Sequence, residues 1–233
     1  MSWRTSPTVI AVRTLARRVG INSLLGRFAG RSGYEQAFNT AVFAAIAKGD
    51  AVWDVGANVG YYTEQFGNAV GPTGAVCAFE PSPINYARLA TAVSEYPNIK
   101  LFAMGLGDRR STLKLRQGAD SLGATSQIVE QVTGGESVIS VEISTADQLI
   151  ESGNADIPNF IKIDVEGFEL EVLKGMPRLL RDSKLRAIGM EVHFGLLAER
   201  GMSGAAKEIE RLLQAGGFSC KWVDPSHVFA QRR

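Results

Sequence analysis

The residues of this chain best suited to chemistry gather where short apolar, β-branched runs end. Asp54-Val55-Gly56-Ala57-Asn58-Val59-Gly60 follows one such run and joins a carboxylate to two glycines. Glycine permits a sharp turn and lets a ligand approach the backbone amides closely. The D-x-G-x-x-x-G spacing lacks the middle glycine of the dinucleotide fingerprint G-x-G-x-x-G. Asp54 would moreover repel a pyrophosphate, whereas it would attract an ammonium or sulfonium group. Glu80 closes a second apolar run, 20 positions after Gly60, where an acid can accept hydrogen bonds from both hydroxyls of a ribose. A cationic amine end, a ribose and an adenine, with no pyrophosphate, describe S-adenosyl-L-methionine.

Asp164 ends the run Phe160–Val165, with Glu166 two residues on at the expected start of a helix. Carboxylates there can orient and deprotonate a hydroxyl acceptor, although an acid in a first helical turn is also favoured by the macrodipole. Lys162 points away from Ile161 and Ile163 and reads as a partly buried ion-pair partner. Glu169 and Glu171 read as a solvated helix face. Glu191 and His193 mark the end of a further strand, and His193 is a candidate general base because imidazole titrates near neutrality. The other histidine, His227, reads as a turn residue. Tyr61, Tyr62 and Trp222 suit either a pocket wall or the core. A divalent ion on Asp164 and Glu166 would need more oxygen ligands than the sequence places, so no metal is expected.

These residues need strands to carry them. From about residue 50 the pattern alternates short β-rich runs with helical ones, as in a parallel sheet covered on both faces. Expected strands are Ala51–Val55, Ala75–Phe79, Ile99–Met104, Phe160–Val165 and Ala187–Val192, with Ser82 capping a helix that opens at Pro83 and Ser203 capping another. Thr112–Arg116 and Ser137–Thr145 alternate like an antiparallel hairpin with one wet face, expected as an addition to the main sheet. Phe218–Val223 and His227–Gln231 read as a closing antiparallel pair. The fold class is therefore α/β: Rossmann-like, doubly wound and mainly parallel, with an antiparallel C-terminal strand pair and a β-hairpin insertion.

The chain has 233 residues, 45% hydrophobic and 21% charged, which is ordinary globular usage and ample for a self-sufficient core. No apolar run is long enough for a membrane span. Two cysteines and two histidines exclude a disulfide scaffold and a histidine-rich metal centre, and the thiols suit a reducing, cytoplasmic setting. A net charge of +1 gives no sign of a nucleic-acid partner. The charge is uneven, because residues 1–34 hold six arginines and no acid, leaving 19 basic against 24 acidic side chains in 35–233. Residues 1–49 are expected to be a basic helical segment, either docked on the domain formed by 50–233 or making peripheral membrane contact through 1–34. Oligomeric state is not legible.

Val52–Thr63, Phe79-Glu80-Pro81-Ser82-Pro83 and Ile161–Glu169 together resemble the FkbM-type methyltransferase family from about residue 50 onward. The resemblance implies a Rossmann-like fold with a reversed final strand, S-adenosylmethionine as cofactor, and O-methylation of a hydroxyl on a sugar or secondary metabolite. It implies that Asp54, Gly56, Ala57, Asn58 and Gly60 line the methionine end, that Glu80 and Pro81 lie at the ribose, and that Asp108, after a Gly-Leu-Gly turn, meets the adenine amine. Asp164, Glu166 and His193 then face a small-molecule or glycan hydroxyl acceptor. The polar residues between Gly118 and Gly135 suit such an acceptor or a surface loop. An NAD-type oxidoreductase and a non-catalytic cofactor-binding protein on the same fold are the alternatives.

Overall fold

The computed structural model describes residues 33–116, 127–129 and 138–233. Residues 1–32, which hold most of the expected basic segment and of its expected peripheral membrane contact, and most of the polar 118–135 stretch lie outside the described residues. Helix α1 (Gly33–Ala44) leads into β1 (Ala51–Val55), α2 (Tyr61–Val70), β2 (Ala75–Phe79), α3 (Pro83–Ala92) and β3 (Ile99–Phe102). After an intervening small sheet come α4 (Ala146–Glu151), β8 (Phe160–Ile163), α5 (Glu169–Lys174), β9 (Ala187–Glu191), α6 (Phe194–Glu199), α7 (Ala205–Ala215), β10 (Phe218–Trp222) and β11 (His227–Arg232).

The main sheet has seven strands in the order β10-β11-β9-β8-β1-β2-β3. All neighbours are parallel except those of β11, which runs antiparallel to both β9 and β10. The chain winds outward from β1 through β2 to β3, then returns to the other side of β1 as β8. That reversal leaves a crevice at the carboxyl ends of β1 and β8, the place where ligands bind in such sheets.

Alternate side chains of each strand serve opposite faces. Trp53, Val55, Ile161, Ile163, Ile188 and Met190 pack against α5, α7 and the Leu179–Leu185 stretch. Val52, Phe66, Val70 and Phe160 meet Phe38 and Val42 of α1 on the other face. Burying about one large apolar side chain contributes roughly 1.5–3 kcal/mol, so two filled faces hold the central strands rigidly under the crevice. Lys162 shares the α1/α2 face with Phe160, an exception among apolar neighbours that the site explains.

The expected hairpin forms, but in a separate sheet of order β4-β7-β5-β6, not on the main one. Its strands are β4 (Gly105–Leu106), β5 (Ser111–Arg116), β6 (Gln127–Val129) and β7 (Val138–Ser144). Residues 105–106, expected as a turn after β3, pair in parallel with Ile143 and Ser144. This pairing draws the chain off the main sheet after Phe102. Leu115, Val141 and Ile143 form the small sheet's own apolar face. Gly204, not Ser203, is the N-cap of α7, and α6 is an element the sequence pattern did not suggest. Ser82 does cap α3, accepting from the Asn85 amide.

Candidate active site

The turn after β1 is built by close backbone approach. Gly56 has φ +82°, and a Cβ there would sit 1.9 Å from the Asp164 carbonyl oxygen. The turns after β1 and β8 therefore touch, reinforced by the Asp164 amide donating to the Val55 carbonyl at 2.9 Å. The amides of Gly56 and Ala57 both donate to the Phe79 carbonyl at 3.0 Å. One position on, the Asn58 amide donates to Glu80 Oε2 and the Ser82 amide to Glu80 Oε1, each at 2.8 Å. Burial pushes the Glu80 carboxyl up to about 7, against the pull of those two amides. Among the described residues, the non-glycine positions with positive φ are Asn58 (51°) and Glu166 (48°). Such backbone costs about 1–3 kcal/mol and gathers at functional sites.

A cleft open to solvent lies over the carboxyl ends of these strands, where ligands bind in sheets of this kind. Gly56, Asn58, Glu80, Pro81, Asp164 and Glu166 line it together. Leu106, Leu115 and Ile128 of the small sheet and Phe168 complete the wall. Asp54 is not part of this lining. It is fully buried, accepts from Thr63 Oγ1 at 2.6 Å, and lies 3.6 Å from Lys162 Nζ, so it braces the turn from beneath. Ala57 is buried and Gly60, at φ +93°, opens α2 against Leu89. Asp108 is exposed beside Arg109 at 3.2 Å and is likewise absent from the lining.

The ends of β8 and β9 carry a dense charged group. Lys162 Nζ is 3.3 Å from Asp164 Oδ2 and 4.5 Å from the centre of the Tyr62 ring, confirming it as a buried ion-pair residue. His193 is 2% exposed. Its Nδ1 is 2.6 Å from Glu169 Oε1, while Nε2 lies 3.4 Å from Glu166 Oε2, 3.7 Å from Asp164 Oδ1 and 3.8 Å from Glu191 Oε1. Burial alone would lower the His193 pKa, but the carboxylates of Glu166, Glu191 and Glu169 raise it to about 10. Glu191 also faces His227 at 3.5 Å, and His227 is tied to Asp224 at 2.7 Å.

Glu166 was expected at a helix start; it stands instead in the turn preceding α5, which begins at Glu169. Glu169 is not solvated. It is wholly buried, accepts from the Gly167 amide at 2.9 Å and holds His193. Its spacing from Val172 and Leu173, three and four residues on, places it on the helix's apolar side, and that signal was present in the sequence. Glu171 is partly buried against Arg200 at 2.6 Å. His227 opens β11 rather than sitting in the turn, its ring centred 4.3 Å from that of Phe38. Asn85 and Phe168 join the cleft lining without having been singled out.

Residues 54–220 match the methyltransferase FkbM domain. The chain is 29% identical over 195 residues to the hexuronic acid methyltransferase AglP of Haloferax volcanii, covering 82% of this chain and 76% of that protein. It is 29% identical over 206 residues to the 31-O-demethyl-FK506 methyltransferase FkbM of Streptomyces tacrolimicus, covering 75% and 74%. Among solved structures, Aeropyrum pernix fibrillarin with natively bound S-adenosyl-L-methionine aligns at a TM-score of 0.51 and 15% identity, over 83% of this chain and 74% of the other. A Clostridium thermocellum protein described as an rRNA-methylase aligns at 0.55 and 10%, over 87% and 98%. These two share the fold.

Proposed function

Because the chain belongs to the FkbM methyltransferase family, with S-adenosylmethionine as its methyl donor, we propose that it methylates a hydroxyl group of a sugar or secondary-metabolite acceptor. The observation that carries this reading is one cleft lined by Glu80 at the end of β2 and by Asp164 and Glu166 after β8. The two relatives, named for a hexuronic acid and for 31-O-demethyl-FK506, support an oxygen acceptor on a small molecule or glycan. No helix among the described residues is long and apolar enough to cross a membrane.

The residues present fit the donor. Gly56 lets the turn after β1 close against the Asp164 backbone at the cleft, and Glu80 offers two oxygens, each already fixed by one amide, with lone pairs remaining for two ribose hydroxyls. Asn58 and Pro81 would flank the ribose, while Gly60 and Ala57 shape the turn and Asp54 supports it through Thr63. When bound, S-adenosylmethionine supplies an electrophilic methyl on a sulfonium that leaves as a neutral thioether.

On the acceptor side, an aliphatic hydroxyl must be aligned with that methyl and lose its proton. Asp164 and Glu166 reach the cleft, and either carboxylate can accept the hydroxyl hydrogen bond and then the proton. His193, held charged by its carboxylate neighbours, keeps both acids in position rather than acting as the base. Alignment contributes much of such an acceleration, since effective molarities of about 10⁵–10⁸ M are reached by well-oriented groups.

The test is turnover with methyl-labelled S-adenosylmethionine against hexuronic acids, their glycosides and 31-O-demethyl-FK506, with product analysis by mass spectrometry and NMR. A methyl ether, lost in Asp164→Asn, is expected. A methylated nitrogen or carbon would contradict the oxygen assignment.

A further inference from the structure

We propose that Asp164, Glu191 and His193 form a divalent-cation site of the Mn²⁺ or Mg²⁺ kind beside the cleft, and that the ion takes the acceptor's hydroxyl oxygen. The ion's role, though not its binding, rests on the methyltransferase reading. One ligand atom from each of the three residues lies within 4.8 Å of the others. The three come from the carboxyl ends of two adjacent parallel strands, β8 and β9, and this supplies the further ligands that sequence spacing could not place.

The independent observation is the orientation of each ligand. Every one presents one atom inward and has its opposite atom anchored. His193 turns Nε2 inward because Nδ1 is bound to Glu169 at 2.6 Å, the carboxylate–histidine arrangement found behind metal-bound imidazoles; the proton that Nε2 carries without an ion is released to solvent as the ion binds. Asp164 turns Oδ1 inward while Oδ2 meets Lys162 at 3.3 Å. Glu191 turns Oε1 inward while Oε2 meets His227 at 3.5 Å, itself steadied by Asp224.

The inward distances match a shared ion better than direct pairing. Charge-assisted hydrogen bonds are about 2.7–2.9 Å long, whereas Nε2 of the 2%-exposed imidazole stands 3.4 Å from Glu166 and 3.7 and 3.8 Å from its two co-ligands. Ligands about 2.2 Å from one ion, at right or tetrahedral angles, lie roughly 3.1–3.6 Å apart. Nε2 therefore stands within a few tenths of an ångström of coordination spacing from each carboxylate, and the two carboxylate atoms lie within 4.8 Å of each other. Two carboxylates and one imidazole favour a hard ion with some tolerance for nitrogen, which fits Mn²⁺ and Mg²⁺. The side chains of Asp164 and Glu191 are 29% and 24% exposed, so coordination positions stay open to the acceptor.

The ion lowers the pKa of a hydroxyl it holds. The O–H bond breaks with the proton passing to Glu166, which lines the cleft 3.4 Å from Nε2. The oxygen–methyl bond forms as the carbon–sulfur bond breaks, and that electron pair stays on the departing sulfur.

Chelator-treated full-length protein titrated with MnCl2, with free Mn²⁺ followed by electron paramagnetic resonance, tests the site. One ion per chain is expected, with affinity at least tenfold weaker in Glu191→Gln and in Asp164→Asn and unchanged in the surface variant Glu208→Gln. Calorimetry with S-adenosylhomocysteine on the same samples verifies that each variant is folded. Wild-type protein that binds S-adenosylhomocysteine but no Mn²⁺ or Mg²⁺ at millimolar concentration overturns the ion site and leaves the methyltransferase reading standing. Mn²⁺ binding indifferent to both site substitutions also overturns it. Mn²⁺ binding without any S-adenosylhomocysteine binding removes the hydroxyl-activating role.

Discussion

Replacing Lys162 with methionine removes the ammonium shared by Asp54 and Asp164. Lys162 and Asp54 are 4% and 0% exposed in their side chains and 3.6 Å apart. At an effective dielectric of about 20, that separation corresponds to about 4.6 kcal/mol of gross attraction, and the 3.3 Å contact to Asp164 to about 5 kcal/mol. Asp164 is partly solvated, so water recovers much of the second contribution. Asp54 has no such relief: its Oδ1 makes no hydrogen bond, and burial already raises its pKa despite the ammonium. Breaking a buried pair from one side costs about 3–5 kcal/mol, and that is the loss expected for Lys162→Met in urea denaturation. The double variant Asp54→Asn/Lys162→Met removes the orphaned charge and keeps an oxygen for Thr63, so it should recover at least about 1 kcal/mol. A loss under about 1 kcal/mol in the single variant, or no recovery in the double, would refute this assignment of charges beneath the cleft.

Affinity for S-adenosylhomocysteine should fall about tenfold between pH 8 and pH 6. With the Glu80 carboxyl near 7, its ionised, diol-accepting form drops from about nine-tenths to about one-tenth of molecules across that interval; calorimetry at both pH values checks this, and Glu80→Gln should flatten the dependence. Gly56→Ala forces a Cβ into the Asp164 carbonyl at φ +82° and should destabilise the protein by at least about 2 kcal/mol, measured by denaturation; a loss under about 0.5 kcal/mol would contradict the close approach of the two turns. Asp164→Asn should bind S-adenosylhomocysteine normally while kcat falls by roughly 10²–10⁴. An unchanged kcat would move the acceptor site elsewhere.

Much of this molecule can be read from local pattern, and the residues show why. Val52 and Trp53 serve opposite faces of β1, Ser82-Pro83 starts α3, and the antiparallel finish follows from two β-rich runs either side of Asp224-Pro225. Glu80 and the Asp54–Gly60 turn were legible because both stand at strand ends at a spacing set by one βαβ unit. What escaped depends on long-range pairing. Gly105–Leu106 is too short to show any period, and its partner lies in β7. Glu169 was misread because acids in a first helical turn are usually solvated, whereas His193 arrives from β9 to bury it. Asp54 carries the charge expected of a ligand contact, yet Thr63 and Lys162 claim it from below the turn.

The most direct test of the cleft as the donor site is calorimetric titration of S-adenosylhomocysteine, with NAD in parallel, into wild type, Glu80→Ala and Asp164→Asn. We expect binding to wild type and Asp164→Asn alike, at least tenfold weaker binding to Glu80→Ala, and no heat with NAD. Equal affinity in all three proteins, or binding of NAD alone, would contradict the placement of the donor between β1 and β2.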